Sequence, residues 1–336
     1  MKILGIETSC DETAAAIVEN GRKILSCEMI SQASKHQVFG GVLPEVASRC
    51  HIENIVGVVN NALCSCSYSL KNIDAIAVTH TPGLIGSLLI GLNFAKGLSF
   101  AENLPLITVH HLRSHIAANY LENKSLKPPF LALIVSGGNN HIIEVTSYTN
   151  FKIIGKTRDD AAGEAFDKVA RSLGLSYPGG VNLDKISKSG DRFRFEFPRP
   201  EIKNAPYDYS FSGLKTYFFN KLSALKQKSN DIPVEDLAAS FCYSVADYLT
   251  TKFLKAAHDL KHKILVVSGG VSANSYLRAK LKKECEKLNY KFYAPSLKLC
   301  TDNAAMVAAQ GYYEFLSGNR ASLDTNAFSN SSIERG

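Results

Sequence analysis

The stretch Phe130-Leu131-Ala132-Leu133-Ile134-Val135-Ser136-Gly137-Gly138 is an unbroken apolar run closed by a small-residue turn. That pattern predicts a buried strand whose end delivers into a glycine turn. Residues 141–145 and 151–155 then read as two more strands. The N-terminus repeats the order: a strand over 2–6, a turn at Glu7–Cys10, and strands at 14–20 and 23–29 separated by Asn20-Gly21, a hairpin signal. A third strand and glycine turn, with Ser268-Gly269-Gly270, spans 263–274. Two copies of strand–turn–strand–strand, each followed by helical material, predict an internally duplicated α/β protein. Two unrelated meanders would supply the strands but leave the recurring turn unexplained.

Pro128-Pro129, after the polar segment 122–127, marks a junction. The expected organisation is an N-terminal lobe over 1–127 and a C-terminal lobe over 128–299. Residues 300–325 should pack back on the first lobe, and 326–336 should form a loose tail because composition turns polar and small. The Ala-rich segment 302–313 reads as a helix with Thr301 or Asp302 as N-cap.

At 336 residues, 45% hydrophobic and 21% charged, the chain has the composition of an ordinary soluble protein with room for two cores. A net charge of +7 permits a polyanionic partner without requiring one. The eight cysteines show no paired framework, and Cys64 and Cys66 lie too close for a zinc knuckle. Glu7, Asp11 and Glu12 interrupt any signal-peptide core, and Asn93, Lys96 and several glycines argue against a span at 83–100. A cytoplasmic protein without membrane contact is expected.

His111 and His115 are four residues apart, which on a helix stacks both rings on one face, roughly 5–6 Å apart at Cβ. Such a pair can grip a divalent metal, and two surface histidines on an amphipathic helix would look the same. Leu112 stands where a His-Glu-x-x-His protease carries its base. The two Ser-Gly-Gly turns and the turn at Glu7–Cys10 suit the walls of a nucleotide cleft. No P-loop or dinucleotide fingerprint is present. At fold level this resembles the actin, sugar-kinase and Hsp70 superfamily, an RNase H-like fold duplicated into two lobes with the ligand cleft between them. Asp160, Glu164 and Asp167 fall at helical spacing. Acids in a first turn stabilise a helix, but Asp167 lies too far in for that and could accept from ligand hydroxyls. Lys185–Lys203 interleaves Lys188, Arg192, Arg194 and Arg199 with Phe193, Phe195 and Phe197, which fits single-stranded RNA or a solvated charged face equally.

Taken together, residues 5–13, 40–49, 82–89, 110–115, 135–138, 159–168, 177–180, 211–216, 268–274 and 300–306 resemble the motifs of the tRNA adenosine threonylcarbamoyltransferases, the TsaD family, nearly end to end. The resemblance implies that His111, His115 and Asp302 share one divalent metal, iron or zinc. It implies that Ile134, Val135, Ser136, Gly137 and Gly138, with Asp167, Gly180, Asp184 and Asn274, contact threonylcarbamoyl-AMP. The implied reaction is threonylcarbamoyl transfer to the amine of an adenosine beside the tRNA anticodon. Bacterial relatives work with a paralogous TsaB-type subunit and a TsaE-type ATPase, archaeal and eukaryotic ones in a larger complex. Two departures stand out: Asn139-Asn140 where many relatives have His-Thr, and Thr81 where many have Gly. Asp11 or Glu12 could position the amine or take its proton, or be solvated turn residues. A small-molecule kinase, a metal-dependent endopeptidase and a non-catalytic scaffold are the rival readings.

Overall fold

The computed structural model describes residues 1–228 and 231–334. The chain divides into two compact units: Met1–Pro129 with Val145–Lys152 and the chain from Pro295 onward, and Phe130–Glu144 with Ile153–Ala294.

In the first unit β1 (Lys2–Glu7), β2 (Glu12–Glu19) and β3 (Lys23–Ser31) form an antiparallel meander. Asn20 and Gly21 take φ of 53° and 65° at its first turn, the left-handed pair that Asn-Gly supplies with least strain. After α1 (Ala33–Gln37) and α2 (Pro44–Cys64) come β4 (Ala75–Thr81), α3 (Ile85–Glu102), β5 (Leu106–His110) and α4 (His111–Glu122). β4 and β5 add in parallel beyond β1, giving the order β3-β2-β1-β4-β5.

The second unit contains β6 (Phe130–Val135), β7 (Asn140–Val145), β8 (Phe151–Lys156), α5 (Ala162–Ser172), α6 (Gly179–Ile186), α7 (Ser212–Lys228), α8 (Val234–Asp259), β9 (Ile264–Ser268), α9 (Ser275–Lys287) and β10 (Lys291–Tyr293). Its sheet runs β8-β7-β6-β9-β10, the first order displaced by five strands, with β9 parallel to both β6 and β10. The fold is α/β and duplicated, as the repeated turns predict.

The last helix, α10 (Ala304–Leu316), returns to the first sheet. Strand alternation explains how. Leu4 and Ile6 of β1 face a core with Ile55, Val59, Leu88 and Leu92, while Gly5 faces α10. A β-carbon on Gly5 would run into the Ala304 carbonyl oxygen, and one on Gly311 into Ala77 Cβ. Small residues on both surfaces let α10 lie flat on the sheet.

Three expectations need correction. The border between units does not follow the proline pair alone, because residues 145–152 and 295–299 also belong to the first unit. The N-cap of α10 is Asn303, whose Oδ1 accepts from Met306 N–H at 2.9 Å, so Asp302 is left for another role. The segment after Asn326 is not loose as far as Glu334. Ala327 and Ile333 are buried, and Phe328 N–H donates to the His80 carbonyl. Two apolar anchors and backbone bonds suffice to hold a polar segment. Among the described residues no helix is long and apolar enough to cross a membrane.

Candidate active site

β5 runs directly into α4, so His111 opens the helix and His115 follows one turn later. His110 caps the start, its Nδ1 accepting from Leu112 N–H at 3.2 Å. The two imidazoles meet edge to face with centroids 4.6 Å apart. Asp302, just before α10, brings Oδ1 to 3.5 Å from His111 Nε2 and 3.2 Å from His115 Nε2. All three ligand atoms lie within 4.8 Å of one another. Helix spacing supplies the first two ligands, and the Gly5–Gly311 packing of α10 delivers the third.

The donor set fits a divalent first-row ion, and three protein ligands leave positions for a substrate. A second observation agrees: among the described residues neither ring nitrogen of buried His115 has a well-aligned hydrogen-bond partner. A coordinated ion would satisfy one of them. Burial depresses the affinity of His111 for a proton, but the Asp302 and Glu7 carboxylates overcome it and lift its pKa to about 9. Burial likewise opposes ionisation of Asp302, yet His111 and His115 hold it at about 2. Without an ion, therefore, a proton sits on His111 where the ion would bind. Leu112 is buried, so no protein base stands beside the pair on α4.

Asp11 and Glu12 close the turn after β1. His51 pins that turn, its ring contacting the Cys10 carbonyl at 2.9 Å and the Thr13 hydroxyl at 2.8 Å. Asp11 is buried and its carbonyl accepts from Gln32 N–H. Burial first, then the charges of Asp302 and Asp11, push Glu12 up to about 10.

In the second unit both Ser-Gly-Gly turns leave the same edge of the sheet, because Ile134 pairs with Ser268 in parallel register. Gly269 sits at φ +89°, and a β-carbon there would strike the Val135 carbonyl, so glycine is required. Gly137 and Gly138 are exposed, and among the described residues neither N–H has a partner. Two unpaired adjacent amides are what a phosphate oxygen needs. The amides at the start of α5 behave differently. Gly163 and Glu164 donate to the carbonyls of Ser136 and Gly137, and Ala162 donates to Asn140 Oδ1. That helix end is already satisfied and offers no second anion site, contrary to the simple dipole expectation. Asn140, one of the two departures from the family pattern, thus caps α5. Thr81, the other, donates its hydroxyl to Ser331 Oγ at 3.0 Å.

The remaining expected contacts form two pairs. Gly180 N–H donates to Asp167 Oδ1 at 3.1 Å, so this carboxylate orients the α6 turn. Asp160 and Glu164 instead pair with Lys168 and, for Asp160, Lys215. Asp184 Oδ1 accepts from Asn274 Nδ2, Ser275 N–H and Ser275 Oγ. Ile134 and Val135 have wholly buried side chains within β6, so they shape the turn and offer no side chain to a ligand. Sequence reading missed Glu7 and Ser9, which contact His111 Nδ1, and Thr79, which donates to Glu7. The available signal was an acidic residue closing the apolar run Ile3–Ile6.

A family model described as tRNA N6-adenosine threonylcarbamoyltransferase matches residues 23–309. A protein of that name from Clostridium botulinum (strain Hall) is 51% identical over 330 residues, 98% of this chain and 97% of that protein. Another from Clostridioides difficile (strain 630) is 49% identical over 332 residues, 99% of this chain and 98% of that protein. Among solved structures, component A of the Acidaminococcus fermentans (R)-2-hydroxyglutaryl-CoA dehydratase aligns with TM-score 0.54 at 17% identity, covering 94% of this chain and 98% of that one. Full-length HypF aligns with TM-score 0.61 at 14% identity, covering 95% of this chain and 47% of HypF. At such identities these likenesses show a shared fold alone. The sequence matches carry more: this chain belongs to the tRNA N6-adenosine threonylcarbamoyltransferase family and is a transferase.

Proposed function

We propose that the enzyme takes threonylcarbamoyl-AMP as donor and, as acceptor, the exocyclic amine of the adenosine beside the anticodon in tRNAs reading codons that begin with A. The amine nitrogen bonds to the carbamoyl carbon, the bond from that carbon to the phosphate oxygen breaks, AMP leaves, and the amine loses one proton. An adenine amine is a poor nucleophile because its lone pair is delocalised, so the donor must be an activated mixed anhydride.

The observation that carries the reading is the convergence of His111, His115 and Asp302 from distant parts of the chain. A bound divalent ion would polarise donor oxygens and stabilise developing negative charge. Imidazole and carboxylate ligands suit iron or zinc. In the second unit the Gly137 and Gly138 amides take the departing phosphate. Asp184, Asn274 and the Asp167-supported Gly180 turn take the rest of the adenylate. Asp11 or Glu12, at the turn after β1, positions the amine or accepts its proton. The family resemblance supports work in the cytoplasm with a TsaB-type subunit and a TsaE-type ATPase.

The test supplies protein, metal, threonylcarbamoyl-AMP, partner subunits and unmodified tRNA, and analyses nucleosides by mass spectrometry. Threonylcarbamoylated adenosine is the expected product. Its absence with metal present would overturn the assignment.

A further inference from the structure

Glu7 ends β1 with no accessible surface, directly after the apolar run Ile3–Ile6. Its Oε1 accepts from Ser9 N–H at 2.6 Å, and its Oε2 accepts from the Thr79 hydroxyl at 2.8 Å. The remaining contact of Oε2 is His111 Nδ1 at 3.2 Å. Among the described residues no lysine or arginine pairs with this carboxylate, so the only positive charge beside it is one carried by the His111 ring.

We infer that Glu7 is the positioning residue of the metal site, fixing the tautomer and orientation of His111 so that Nε2 presents its lone pair beside Asp302. The inference rests on the metal reading of His111, His115 and Asp302. Ser9 Oγ also lies 3.2 Å from Nδ1, but a hydroxyl can donate or accept. An ionised carboxylate can only accept, so Nδ1 keeps its proton and Nε2 is the nitrogen that gives up its own to bind an ion. Hydrogen-bonded carboxylates behind a ligating imidazole raise its basicity and hold the ring, and their loss weakens metal binding by about 10–100-fold. Charge counts the same way: Glu7 and Asp302 together balance a dication, whereas Asp302 alone does not. Among the described residues His115 Nδ1 has no such support, so the two imidazoles are unequal ligands.

The experiment titrates Co2+ into the full-length wild-type protein and the variants Glu7→Gln, Thr79→Val and His115→Ala, following the visible absorption of the ion. Melting of each metal-free protein is recorded alongside. Glu7→Gln keeps the size of the side chain but can turn an amide N–H toward Nδ1. It should raise the Co2+ Kd by about 10–100-fold and alter the spectrum, while the metal-free protein still melts as a folded one. Thr79→Val, which removes one donor from Glu7 Oε2, should shift the Kd in the same direction by less. A Glu7→Gln protein with wild-type Kd and spectrum would overturn the positioning role while leaving the metal site intact. A Glu7→Gln protein that is unfolded without metal would also overturn it, with Thr79→Val at wild-type Kd as confirmation. Failure of the wild-type protein to bind Co2+, or undiminished binding by His115→Ala, would instead sink the metal reading and this inference with it.

Discussion

At Asp184 one carboxylate oxygen accepts three hydrogen bonds, all from the first residues of α9 and its cap Asn274. Removing it leaves those donors to find water or go unpaired. Asp184→Ala should therefore lower stability by about 1–3 kcal/mol, read as a shift in urea midpoint, and weaken donor binding, read by titration with AMP. Unchanged AMP affinity would remove Asp184 from the ligand site and leave it a structural cap. His111→Ala poses the complementary question in the first unit, since it deletes a candidate ligand and takes the imidazole from the buried Glu7 carboxylate. Metal content should fall, and transfer should drop by more than about 100-fold. A variant that kept both would sink the catalytic scheme. The lesson of Glu12 is of the same size. Its position beside Asp11 makes it a candidate base, and burial with the charges of Asp302 and Asp11 raises its pKa, an effect no dipeptide reveals.

Among the elements, α10 has the widest reach. It lies on the first sheet through Gly5, Ala77 and Gly311, and it sets where Asp302 stands. Gly5→Ala would push a methyl against the helix backbone, with an expected cost of about 1–3 kcal/mol. Because the displaced element carries the third ligand, metal affinity should fall too; a thermal-shift series with and without Co2+ would show both effects. The C-terminal segment holds the neighbouring α4. Arg113 Nε and Nη2 donate to the Ile333 carbonyl at 3.0 and 2.7 Å, and Nη1 pairs with Glu314 of α10 at 3.1 Å. Ile333 is buried, so Ile333→Asp should cost at least about 2–3 kcal/mol, measured by denaturant melting. A neutral outcome would return this segment to the loose tail that its composition predicts.

Over the whole molecule the charge is modest and much of it is internally paired. Arg194 and Arg199 of the basic stretch pair with Asp236 and Asp247. Arg192 lies over the rings of Phe193 and Tyr243 and pairs with no carboxylate among the described residues. If this face touches tRNA, Arg192→Glu should weaken binding and lower the salt slope by at least about one, whereas an unchanged slope would clear it. The response to acid depends on histidines buried in the neutral state. Burial, then Lys156, lowers His141 to about 4, so its unfolded form takes a proton that the folded form refuses. Its contribution to stability is present above pH 6.5 and is lost as pH falls from there toward 4. Replacing His141 with Asn should flatten the stability–pH curve in that window alone, as followed by urea melts at pH 4 to 7.

The sequence by itself determined the duplicated α/β plan, the strand-end turns and the two-histidine face, because apolar periodicity, glycine and helix spacing act over a few residues. The histidine pair is a local matter of four positions on one helix. Asp302 could be named only through family resemblance, since nothing near it in the chain marks it as a ligand. Tertiary structure alone decided that Asn303 caps α10 and leaves Asp302 facing the histidines, that Glu7 backs His111, and that the α5 amides are already bonded. It also decided that the last residues are anchored. Each of these depends on contacts between residues far apart in sequence, where packing, burial and charge are set by neighbours that no local pattern names.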